Sequence, residues 1–149
     1  MKIVIKTIPH ADQYYPTVGD WFFTNEKGER SEGSIGSSEL VICVSDLGDW
    51  RKELLVGLHE LVEVAIAHHR GITVAQVDAF DKAFEVNRQL KLDAAKSEAE
   101  EELLLIDEPG DAPGCPVGRE HSVATGVERI LAALLEVDWA PYEKQIEML

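Results

Sequence analysis

Cysteine is nearly absent from this chain: Cys43 and Cys115, 72 positions apart, are the only two among 149 residues. That separation forms no zinc-type pair, and with no secretory signal in view both thiols are expected to be reduced, as in a cytoplasmic protein. Met1–Ile8 does not read as a signal peptide, because Lys2 and Lys6 interrupt it and Pro9 stops it. Basic residues are also scarce, 14 Lys and Arg against 28 Asp and Glu, for a net charge of −14. Such a field repels polyanions, which argues against DNA, RNA or an anionic membrane face as partners, and it attracts divalent cations. The apolar run Leu54–Ala67 falls short of the roughly 20 residues needed to cross a bilayer. No Ser/His/Asp set, phosphate loop or dinucleotide fingerprint occurs.

What is present reads as one soluble domain spanning residues 1–149, with 45% apolar residues to build a core. Lys2–Ile8 is β-branched and ends at Pro9, Asp20–Thr24 (DWFFT) is followed by the turn residues Asn25–Gly28, and Glu39–Ser45 (ELVICVS) is the clearest strand. These predict a small antiparallel N-terminal sheet. About four helices should follow, giving an α+β fold. Asp49 is an N-cap for the first, which runs to His68, His69 or Arg70 and closes at Gly71. Thr73 and Gln76 form a capping box opening a second helix from Val74 to about Leu90, with Val77, Phe80 and Phe84 as its apolar stripe and Asp78, Asp81 and Glu85 on the neighbouring face. Ala94–Leu105 is compatible with further helix, its Glu98, Glu100, Glu101 and Glu102 forming a solvated face. Asp107–Gly118, with three prolines and three glycines, is irregular. The last long helix, Arg119–Val137, carries Val123, Val127, Ile130, Leu131 and Leu134 on its apolar side. His121, Thr125 and Glu128 fall on another side, and Trp139 and Tyr142 serve as packing anchors near the C-terminus.

The stretch LLVGLHELVEVAIA organises the rest. Ten of its fourteen residues are apolar and they wrap almost all the way round a helix, the pattern of a buried helix packed on the sheet. His59, Glu60 and Glu63 sit inside it, and an unpaired buried charge costs several kcal/mol or more. His59 and Glu63, at i and i+4, leave one face, while Glu60 points roughly 100° away. A metal ion would satisfy all three. Read separately, His59 is a hydrogen-bonded core histidine, Glu60 and Glu63 are surface residues, and Asp78 and Asp81 are the wet side of a helix. His68 and His69, over two turns along, cannot join the His59 site. A catalytic zinc normally takes three protein ligands. Donor counting therefore selects His121, with Glu128 two turns further to orient or add a ligand.

The segments LHELVE, VDAFD, PGD, EHSVATGVERILA and VDW resemble a group of small uncharacterised proteins of bacterial viruses and prophages, across about residues 50–142. That resemblance implies a phage origin and carries no activity. His59-Glu60-x-x-Glu63 is similar to the HExxH helix of zincin-like metallopeptidases, with glutamate in place of the second histidine. It implies His59 and Glu63 as zinc ligands, Glu60 as the acid/base, and a zinc-dependent hydrolase, with a peptidase among the activities it would cover. Glu60-x-x-Glu63 with Asp78-x-x-Asp81 also resembles the carboxylate pattern of MazG and dimeric dUTPase pyrophosphatases, which implies Mg²⁺ held against a nucleotide's phosphates. A non-catalytic phage structural or interaction protein is the remaining alternative. No pattern in the chain names a substrate.

Overall fold

The computed structural model describes residues 2–31, 33, 35, 38–97, 99–100, 104 and 109–149. Among them the chain builds four strands, β1 (Lys2–Ile8), β2 (Gly19–Thr24), β3 (Arg30–Ser31) and β4 (Glu39–Ser45), and then four helices, α1 (Trp50–His69), α2 (Val74–Ala94), α3 (Gly118–Leu134) and α4 (Trp139–Glu147). The architecture is α+β, as expected. The sheet order is β1-β4-β2-β3.

The most apolar strand takes the centre. Six of the seven residues of β4 are buried, and a central strand covered on both faces needs such a run. β2 lies antiparallel to it, with Trp21 opposite Ile42, and continues antiparallel into β3 around the turn at Asn25–Glu29. β1 differs from expectation. It runs parallel to β4 (Ile5 opposite Ile42), so the sheet is mixed. The chain leaves β1, forms the β2–β3 hairpin, and returns to insert β4 between β1 and β2. Strand direction here follows from this long-range insertion, which side-chain alternation does not encode. Lys2 and Lys6 suit β1 to the edge, where charge discourages pairing with another sheet.

α1 begins as its capping residues dictate: Asp49 accepts a hydrogen bond from the Arg51 N–H, and Gly71 follows the C-cap with φ 75°. Leu55, Val56 and Val64 of α1 join Trp21, Leu40, Ile42 and Val44 of the sheet in one core cluster. The Thr73–Gln76 capping box opens α2, which runs to Ala94, further than expected; the backbone then turns extended at Ala95. Glu100 is exposed, while Glu98, Glu101 and Glu102 lie outside the described residues. Asp107 and Glu108 also lie outside them, and from Pro109 the linker is a short 3-10 turn followed by bends and turns.

α3 corrects the sequence reading. Its buried residues are Glu120, Ala124, Glu128 and Ala132. Val123, Ile130 and Leu134, assigned to the apolar side, face outward, with Leu134 73% exposed. Against the core α3 presents these small and charged side chains together with Leu131, which was expected on the apolar side and is partly buried there. α1 is its principal partner, and Arg70 at the end of α1 pairs with the fully buried Glu120 at the start of α3. α2 is turned similarly: Val86 and Leu90 are exposed, whereas Asp78, Asp81 and Glu85 are half-buried rather than solvated.

Candidate metal centre

Among the described residues, three of the five buried polar ones are glutamates: Glu63, Glu120 and Glu128. Each must find partners, because a carboxylate removed from water costs several kcal/mol uncompensated. Glu120 has Arg70. The other two meet the histidines. α1 supplies His59 and Glu63 from successive turns of one face, and α3, crossing beside it, supplies His121 and Glu128 two turns apart.

His59 Nε2 lies 3.0 Å from His121 Nδ1, His121 Nδ1 lies 3.3 Å from Glu63 Oε2, and His59 Nε2 lies 3.9 Å from Glu63 Oε2. The two rings meet edge to face, centroids 4.7 Å apart. The outward nitrogen of each ring is also engaged. His59 Nδ1 is 2.9 Å from Glu128 Oε2, and His121 Nε2 is 3.8 Å from Asp111 Oδ1. A carboxylate can only accept, so the hydrogen-bond pattern assigns the His59 proton to Nδ1 and leaves a lone pair on Nε2. Glu128 is held in turn by the hydroxyl of the fully buried Tyr142, and Glu63 Oε1 accepts from Trp21 Nε1 at 3.3 Å.

The donor set fits a metal. His59, Glu63 and His121 each offer one ligand atom, all within 4.8 Å of one another. Tetrahedral zinc with bonds of about 2.0–2.1 Å places its ligand atoms about 3.3 Å apart, and the three edges here scatter about that value. By the same rule the His121 proton sits on Nδ1, which faces Glu63 Oε2 at 3.3 Å and the Nε2 lone pair of His59 at 3.0 Å. A cation bound there would take that proton's place, and two nitrogen lone pairs and a carboxylate oxygen would then converge on it. Two imidazoles and one carboxylate suit zinc better than Mg²⁺, which prefers oxygen. The Glu128–His59 contact is the carboxylate–histidine brace that orients metal-binding imidazoles.

Of the residues singled out by sequence, His59, Glu63 and His121 therefore converge, and Glu128 braces His59. Glu60 lines the adjoining cavity of about 310 Å³ rather than joining the cluster. A Cβ at Gly19 of β2 would fall 2.3 Å from Glu60 Oε1, so the missing side chain at 19 makes room for this carboxylate. Asp78 and Asp81 line the same cavity. The Asp81 carboxyl is pushed up to about 6, by burial first and then by the charges of Glu63 and Asp78. Burial also raises the Cys115 thiol, which lines the cavity with no activating base against it among the described residues. His68 and His69 are exposed, and His10 hydrogen-bonds Ser45 Oγ at 3.0 Å.

Sequence reasoning missed two parts. Tyr142 read as a packing anchor, and only its hydroxyl on Glu128 reveals a place in the site. Gly110, in the Pro109–Asp111 turn, read as a loop glycine. A Cβ there would lie 2.6 Å from both Cγ and Nδ1 of His121, so the turn backs directly onto that ring. The PGD segment was the available signal.

No family model, no curated protein and no solved structure matches the chain.

Proposed function

We propose that the protein is a zinc-dependent hydrolase of phage origin working in the host cytoplasm, with His59, Glu63 and His121 holding the metal. The observation that carries this reading is the convergence of three donor atoms from two helices, with the second nitrogen of His59 braced by Glu128. The pattern resemblance over residues 50–142 supports the phage origin.

When bound, zinc would act as a Lewis acid on a water and on a substrate carbonyl. The chain's own residues do the rest. Glu60, beside the cluster on the cavity wall, takes a proton from the water and delivers it to the leaving amine, so the hydrolysis of an amide yields an acid and an amine. Trp21 fixes Glu63, and Tyr142 through Glu128 fixes His59. The peptidase assignment rests on the likeness of the His59–Glu63 helix to zincin helices.

Elemental analysis after zinc reconstitution should give near one zinc per chain, lost in Glu63→Ala and His59→Ala and retained in Glu60→Gln. Glu60→Gln should still abolish hydrolysis of a quenched peptide library. A folded wild-type protein that takes up no zinc would sink the proposal.

A second reading has one observation in its favour: Glu60, Glu63, Asp78 and Asp81 face one cavity, as a Mg²⁺-dependent nucleotide pyrophosphatase would need. There Glu60→Gln and Asp81→Asn should weaken Mg²⁺ binding as much as Glu63→Ala does.

A further inference from the structure

Among the described residues, the walls of the cavity carry ten acidic side chains against one guanidinium, that of Arg88. Several of these acids are already neutralised. Asp20 pairs with Arg30, Glu85 with Arg88 and Glu143 with Arg129, while Glu63 and Glu128 hold the two imidazoles. Least offset is the Asp78–Asp81 stretch of α2. Asp78 has the Tyr15 hydroxyl at 3.3 Å and Lys82 Nζ only at 3.8 Å. Asp81, one turn on, has neither hydrogen bond nor ion pair among the described residues. Its half-buried side chain nonetheless faces the same cavity as Glu63.

A bound zinc would be balanced locally by Glu63 and Glu128. Its charge would therefore be spent inside the cluster, and the α2 wall would stay negative. The geometry points to a substrate that carries its own positive charge: a peptide or amide with a lysine- or arginine-type cation, seated against Asp78 and Asp81 while its scissile carbonyl reaches the His59–Glu63–His121 centre. This selectivity rests on the proposed zinc site and names its substrate class. It also runs opposite to a nucleotide substrate, whose phosphates the same wall would repel.

Binding rather than turnover tests it. Isothermal titration of the zinc-loaded protein with the hydroxamates of arginine, norleucine and glutamate keeps the metal-binding group constant and varies only the side chain. The arginine compound should bind at least tenfold tighter than norleucine, with glutamate weakest. In Asp81→Asn and Asp78→Asn that advantage should shrink to within about threefold, with zinc content unchanged. Equal binding of the three compounds by the loaded wild type would overturn the inference. So would uptake of a second divalent ion lost in Asp81→Asn, or tighter binding of dUTP with Mg²⁺ than of the arginine compound.

Arginine amide and norleucine amide, titrated into the metal-free protein, separate the two proposals. If zinc is never taken up, the zinc reading fails on its own account. Preference for arginine amide over norleucine amide, lost in Asp81→Asn, would still support the cationic pocket, and its absence would refute it.

Discussion

At the scale of single residues, the centre is built by contacts that reach well beyond the three donor atoms. Tyr142 donates to Glu128, which receives the Nδ1 proton of His59, so the tautomer that presents Nε2 is set by a residue 83 positions away in sequence. Removing that hydroxyl leaves the buried Glu128 short of a donor and loosens the imidazole. Outer partners of this kind typically carry 10–100-fold of metal affinity. Tyr142→Phe should therefore weaken zinc binding by about 10-fold or more, measured by competition with a chromophoric chelator, while circular dichroism stays unchanged. Gly110→Ala acts from the other side. Its new methyl would overlap the His121 ring, and a similar loss of affinity is expected. Wild-type affinity in both variants would show that neither contact positions the cluster.

At the scale of elements, α3 is the informative case. Its periodicity offers two faces, an apolar one with Val123, Ile130 and Leu134 and a polar one with His121, Thr125 and Glu128. Burial alone would turn the first inward. The structure turns the second inward, because Arg70, His59 and Tyr142 wait there to pair with Glu120 and Glu128, and Ala124 and Ala132 let α1 approach closely. Ile130, 65% exposed, should consequently tolerate a charge. Ile130→Glu is expected to change the urea unfolding free energy by no more than about 0.5 kcal/mol. A loss of about 3 kcal/mol, as for a carboxylate forced into a core, would mean that α3 packs the other way round and that the centre does not assemble.

At the scale of the whole molecule, the net charge of −14 is not spread evenly, since much of it lines one cavity. That concentration makes stability depend on pH in a particular direction. Asp81 is pushed up to about 6 in the fold against 3.8 ordinarily. A carboxyl with a raised folded pKa binds its proton more tightly in the native state, so the metal-free protein should lose stability as pH rises from about 4 to 6. Above that window the penalty is complete. Discounted for the partial exposure of Asp81, it amounts to about 1 kcal/mol. Asp81→Asn should accordingly raise the melting temperature of the metal-free protein at pH 7.5 and leave it unchanged at pH 4. A variant equally stabilised at both values would assign the gain to packing instead of charge.

The sequence by itself determined whatever rests on local physics. Caps at Asp49 and Thr73 placed the starts of α1 and α2 because a side-chain oxygen and an open N–H meet within three residues. The period of the helix put His59 and Glu63 on one face, and the number of donors a zinc needs singled out His121. Only the tertiary structure decided what depends on contacts between distant segments. The parallel pairing of β1 with β4 follows from where the chain returns to the sheet, and the inward face of α3 follows from partners on α1 and α4. Glycine at 110 matters because another helix places a ring against it. Asp78 and Asp81 have the spacing of an ordinary solvated face, and they became a cavity wall because α2 turns them toward β2 and α1. Helical periodicity says which residues share a face. It does not say which face the rest of the molecule will cover, since that choice is made by the summed pairing of charges and the closeness of packing across the whole fold.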